Sequence, residues 1–73
     1  MNTSTKMTMK NRSKVAKQLR LRRKYKELTI RDLESASGID KAMISRIENG
    51  MSDPQLSTLE RLATALGAEV IIK

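Results

Sequence analysis

An all-α domain of four or five short helices, ending in one short β-strand, is the fold class that this 73-residue sequence predicts. Three observations predict it. Helix starts and stops alternate along the chain, with Thr29, Asp40 and Ser57 as N-caps and Gly38, Gly50 and Gly67 as terminators. Between them apolar residues recur at helical spacing, most clearly Leu59, Leu62, Ala63 and Leu66. Only the final AEVIIK is β-branched and alternating, with Glu69, Ile71 and Lys73 on one side and Val70 and Ile72 on the other.

The elements follow in order. Residues 1–12 are polar and without period, which predicts a flexible basic arm, and residues 13–67 form the folded domain. A first helix runs from Ser13 to about Lys26, with Val15, Leu19 and Arg23 on one face and Leu21 and Tyr25 on another, free for a further element or a second subunit. A second spans Ile30 to Ser37. Thr29 and Asp32 form its capping box, Leu28 and Leu33 its hydrophobic staple, Leu33 and Ala36 its core face, and Gly38 its left-handed stop. Asp40 then caps a third helix, stapled by Ile39 and Ile44 and ended by Asn49 and Gly50. A fourth begins at a Ser57–Glu60 capping box and stops at Gly67.

The ending, residues 68–73, raises a pairing problem. A lone strand leaves its backbone donors and acceptors unpaired, and no other strand-like run exists in the chain. Pairing with the same strand of a second copy would close a homodimer and bury Val70, Ile71 or Ile72; a frayed tail or a short fifth helix is the alternative.

Composition narrows the function. Without Cys or His the chain has no disulfide framework and no thiolate or imidazole metal ligand, so no metal and no cofactor are expected. The eight carboxylates fall on helix surfaces and caps, and no nucleophile–base pair or Gly-rich phosphate loop accompanies them, so no enzyme is expected and no small-molecule ligand. No apolar run nears the roughly 20 residues of a membrane span, and no signal peptide begins the chain, which predicts a cytoplasmic protein.

Charge supplies the positive clue. Residues 1–28 hold ten basic side chains and one acidic, whereas residues 29–73 hold five basic and seven acidic, giving +7 in all. A basic pole of this strength predicts a polyanionic partner. An anionic membrane surface is disfavoured by the lack of Trp and Phe, and single-stranded RNA by Tyr25 being the sole aromatic ring. The second and third helices, joined by a tight turn at Gly38, form a helix-turn-helix whose second helix can enter the DNA major groove. Double-stranded DNA is thus the expected partner.

From Leu19 to Gly67 the chain resembles the Cro/CI-type (Xre-like) helix-turn-helix family of phage repressors and bacterial regulators, on the stretches LRLRRKYKELTIRDLESASGIDKAMISRIENG and PQLSTLERLATALG. The resemblance implies a lambda-repressor-like domain, a DNA-binding dimer and a recognition helix at Lys41–Asn49. It also suggests a structural ion pair between Arg23 and Glu48. Independently, a carboxylate four residues after Ile44 points inward and needs a cation to offset its desolvation, which the fork of an arginine supplies; Arg23 as a plain phosphate ligand is the alternative. The sequence departs from the family pattern at Ile30, where Gln is frequent, and at Glu34, where a small residue usually stands. A small family member with a strand-like ending resembles the antitoxin of a toxin–antitoxin pair, which implies a toxin partner; a stand-alone phage or mobile-element repressor is the other reading.

At about 100° per residue, Ile44, Ile47 and Glu48 share the inner side of the third helix, while Ala42, Ser45, Arg46 and Asn49 share the outer side, with Lys41 at the leading edge and Met43 at a border. Lys41, Ala42, Ser45 and Arg46 are the expected base readers, since Lys and Arg donate to guanine O6 and N7, Ala contacts the thymine methyl and Ser pairs with several bases. Phosphate contacts are expected at the N-termini of helices two and three, near Thr29, Ile30 and Asp40, with Arg31, Asn49 and Lys24 adding side chains. The arm would either wrap the duplex, capture a protein or do neither.

Overall fold

Four helices, α1 (Met9–Tyr25), α2 (Ile30–Ser37), α3 (Lys41–Glu48) and α4 (Leu56–Ala65), make up the computed structural model, which describes residues 9–68. No strand occurs among the described residues; the expected C-terminal strand, with the dimer contacts of Val70, Ile71 and Ile72, lies outside them. Helices α1 and α3 pack together, and α2 packs against both α3 and α4. The core at their junction is Leu33, Ile39, Ile44, Ile47, Leu62 and Leu66, with Leu19, Leu28, Ile30, Met43 and Ala65 closing its edges. No helix among the described residues is long and apolar enough to cross a membrane.

The middle of the chain folds as its caps dictate. Thr29 Oγ1 accepts from the Asp32 amide at 3.0 Å and Asp32 Oδ2 accepts from the Thr29 amide at 2.9 Å, so the capping box satisfies two otherwise free donors. These hydrogen bonds, the one from the Thr29 backbone first, hold the Asp32 pKa below its ordinary value. Gly38 adopts φ 74° and donates to Glu34 O. A side chain there would be strained and would also press on the Arg61 guanidinium.

Three local expectations are corrected. Helix α1 is described from Met9, four residues ahead of the expected Ser13, so residues 9–12 of the expected arm are helical, while residues 1–8 lie outside the description. Half-buried Arg12 on this added turn stands 3.9 Å from Asp53 of the α3–α4 loop, a contact that no local pattern shows. The Ser57–Glu60 capping box does not define the start of α4. That helix begins at Leu56 after an N-cap Gln55 that makes no side-chain hydrogen bond. Buried Pro54 and Leu59 anchor the segment on either side, so core packing sets the start and Ser57 falls inside the first turn. Ala36 is exposed, and Ser37 takes the inner position one turn after Leu33. Its hydroxyl donates to Leu33 O at 2.7 Å and accepts from the Ile39 amide at 3.1 Å, which makes its burial affordable. Leu21 and Tyr25, expected off the core stripe, are exposed at 53% and 86%.

The end of α1 holds the one non-glycine residue with positive φ among the described residues, Glu27 at 56°. Around it the Leu28 amide donates to Arg23 O at 3.0 Å and the Glu27 amide to Lys24 O at 2.9 Å, the paired bonds of a Schellman cap. A side chain in this conformation costs about 1 kcal/mol relative to glycine, and a carboxylate beside a helix C-terminus opposes the macrodipole. Glu27→Gly is therefore expected to raise the melting temperature by roughly 4–8 °C, the shift that about 1 kcal/mol produces in a domain of this size. A thermal melt followed by circular dichroism checks it; an unchanged or lower midpoint would show that Glu27 carries no such strain.

Candidate nucleic-acid interface

Helix α3 divides cleanly. Ile44, Ile47 and Glu48 are 1%, 2% and 4% exposed, while Lys41, Ala42, Arg46 and Asn49 are open to solvent and Ser45 is half-buried. The two isoleucines bind the helix to the core. Their burial leaves the opposite flank accessible along its whole length.

Glu48 is buried against α1, which supplies the cation that offsets its desolvation. Arg23 donates from Nε to Oε2 at 2.8 Å and from Nη2 to Oε1 at 2.9 Å, and its Nη1 reaches Leu28 O at 2.8 Å. All three nitrogens are engaged inside the protein, so the geometry makes Arg23 a structural residue. The hydrogen bond to Glu48 raises the Arg23 pKa above its already high ordinary value, outweighing the lowering effect of burial, so the guanidinium stays charged.

A second arginine joins the pair, and sequence reasoning missed it. Arg20 Nη2 donates to Glu48 O at 3.0 Å and to Asn49 Oδ1 at 3.1 Å, while its Nε lies 3.9 Å from Glu48 Oε1. Asn49 in turn donates from Nδ2 to Ser45 O at 2.8 Å. One of the two N–H donors of Asn49, an expected phosphate ligand, is therefore used within α3. The signal that could have found Arg20 was its place one helical turn before Arg23, next to the core residue Leu19.

At the leading end of α3 two carboxylates hold the first free amides. Asp40 Oδ2 accepts from the Ala42 amide at 3.0 Å and Glu34 Oε2 from the Lys41 amide at 2.9 Å. Glu34 thus acts as a second cap across the turn, which explains an acidic residue where family members carry a small one. Ile30 packs against the core edge, so its side chain stabilises the fold at the position where family members often carry Gln. Thr29 and Arg31 are exposed at the start of α2, and Lys24 is exposed on α1.

Comparison with known proteins is consistent with this geometry. A curated helix-turn-helix repressor of Bacillus subtilis, RghR, is 46% identical over 50 residues, covering 67% of this chain and 37% of its own length. An uncharacterised helix-turn-helix transcriptional regulator of Haemophilus influenzae is 39% identical over 56 residues, covering 77% of this chain and 57% of its own. Another from Sinorhizobium fredii is 34% identical over 58 residues, so the chain spans 30% of that relative's length. Among solved structures, an HTH_3 family transcriptional regulator from Vibrio cholerae superposes with a TM-score of 0.81 at 34% identity over 84% of this chain and 34% of its own. The restriction-modification controller protein C.AhdI from Aeromonas hydrophila superposes with a TM-score of 0.78 at 32% identity, over 82% of this chain and 91% of its own. The HTH_3 helix-turn-helix family matches residues 17–70, which include α2, α3 and α4 entire, and the chain belongs to that family.

Proposed function

We propose that this chain is a sequence-specific, double-stranded DNA-binding transcriptional regulator, acting as a repressor and as a homodimer on a pseudo-palindromic operator. The observation that carries this reading is the split of α3, with Ile44 and Ile47 buried and Lys41, Ala42 and Arg46 exposed on the far side. Helix α3 enters the major groove. Lys41, Ala42, Ser45 and Arg46 read base edges, and Lys24 and Arg31 hold phosphates together with the first-turn backbone of α2 at Ile30, since carboxylates already take the amides of Thr29, Lys41 and Ala42. Asn49 supports the groove end of α3 through its neighbours. The regulator and repressor names of the relatives support the reading, as does the net charge of +7.

Selecting bound duplexes from a random pool tests it directly. Enriched sites should be pseudo-palindromic, with half-sites near one helical turn, roughly 34–36 Å, apart. Recovery of duplexes without any sequence preference would remove the reading.

Two partner arrangements remain distinct. As an antitoxin the chain would bind its own operator and a toxin; as a stand-alone repressor it would form its dimer alone. Similarity along 91% of a small controller protein favours the stand-alone arrangement. Purification together with the neighbouring gene product separates the two: a stable stoichiometric complex supports the antitoxin, and a homodimer that excludes it supports the repressor.

A further inference from the structure

We propose that Arg20 is a pre-organised phosphate ligand at the trailing end of α3, an inference that rests on the DNA-binding reading above. Its charge is surplus to the fold. The Glu48 carboxylate faces two guanidinium groups, and Arg23 takes both of its oxygens at 2.8 and 2.9 Å, leaving Arg20 Nε at 3.9 Å. One acidic group thus meets two permanent positive charges. The Arg20 side chain is 44% exposed against 12% for Arg23, so the uncompensated charge is the one that faces solvent.

Position and rigidity point the same way. Arg20 Nη2 is fixed by Glu48 O at 3.0 Å and Asn49 Oδ1 at 3.1 Å, and Asn49 is the last residue of the outer side of the helix, which carries exposed Ala42 and Arg46 and half-buried Ser45. The guanidinium therefore sits at the rim of the groove-facing flank, where the DNA backbone passes when the helix lies between two strands. Arg20 Nη1 has no protein acceptor among the described residues, so one edge of the fork remains for an incoming oxygen. Two acceptors already immobilise the side chain, which reduces the rotamer entropy lost on binding. The arrangement also answers what becomes of Asn49. Its amide serves as the bracket that holds Arg20, and the arginine supplies the donor to the backbone.

The expected role is uniform across sequences, since phosphate contacts position the protein without reading bases. Arg20→Gln removes the charge and keeps donors for Glu48 O and Asn49, whereas Arg20→Lys keeps the charge and loses the fork. Affinity of each variant for the selected duplex and for an unrelated duplex is measured from 50 to 300 mM salt, at a temperature where circular dichroism shows the protein folded. Arg20→Gln should weaken both duplexes by about five- to tenfold near physiological salt and reduce the slope of log affinity against log salt by about 0.9, while Arg20→Lys keeps most of the slope. Ethylation of one phosphate per half-site should weaken the wild type and leave Arg20→Gln unaffected. A variant that melts earlier yet keeps the wild-type slope would overturn the proposal and leave Arg20 a structural clamp. A wild-type protein that binds no duplex would overturn both this inference and the reading beneath it.

Discussion

Arg23→Ala is expected to destabilise the domain by about 3–5 kcal/mol, as much as a core of this size usually supplies in net stability. Glu48 is 4% exposed, and the substitution would strip it of both short hydrogen bonds from the guanidinium. Leu28 O would lose its donor as well. Arg20, 3.9 Å away, could move in and recover a part, which places the loss toward the lower end of that range. Removing the acid together with the base tests the cause. In Arg23→Met/Glu48→Leu no buried charge is left behind, and stability should return close to the wild-type value. Urea denaturation of the single and double variants gives the comparison; a single variant as stable as the wild type would show that the pair does not hold α1 to α3.

Arg46→Ala should act in the opposite way, with little change in folding and a large change in selectivity. Its side chain is exposed and its carbonyl, which accepts from the Met51 amide at 2.9 Å, survives the substitution. Loss of a base-reading arginine costs about 1–3 kcal/mol of discrimination, so preference at one operator position should flatten by roughly five- to 150-fold. Lys24→Ala provides the contrast. A lysine that touches only phosphate should weaken all sequences alike and lower the salt slope by about one. Competition binding with a set of single-base operator variants reads both. Should the Arg46 variant lose the same affinity for every duplex, its place among the base readers would be wrong.

These two arginines show how far a sequence reaches into such a site. Arg46 could be placed because the side of α3 on which it lies follows from spacing alone, once Ile44 and Ile47 are taken as core. Thr29, Asp32, Asp40, Gly38 and Gly67 likewise mark boundaries by chemistry that acts within one or two turns. Contacts across the fold were harder to read. Arg20 reaches Asn49 across 29 positions, and its one local mark is its place a helical turn before Arg23, beside Leu19. Arg12 meets Asp53 across 41 positions, and the start of α4 falls between buried Pro54 and Leu59. Ser37 escaped notice because a polar residue enters a core only when partners exist, here Leu33 O and the Ile39 amide.

By itself the sequence determined the order of the four helices, the turn between α2 and α3, and which flank of α3 faces outward, because caps and apolar stripes are properties of neighbouring residues. Tertiary structure alone decided how the charges are divided between fold and surface. Arg23 is consumed by Glu48, Glu34 is consumed by the Lys41 amide, and Arg20 keeps an open edge. An ionic group's role depends on which partners lie within about 4 Å of it, and only the packing of helices brings residues distant in the chain that close.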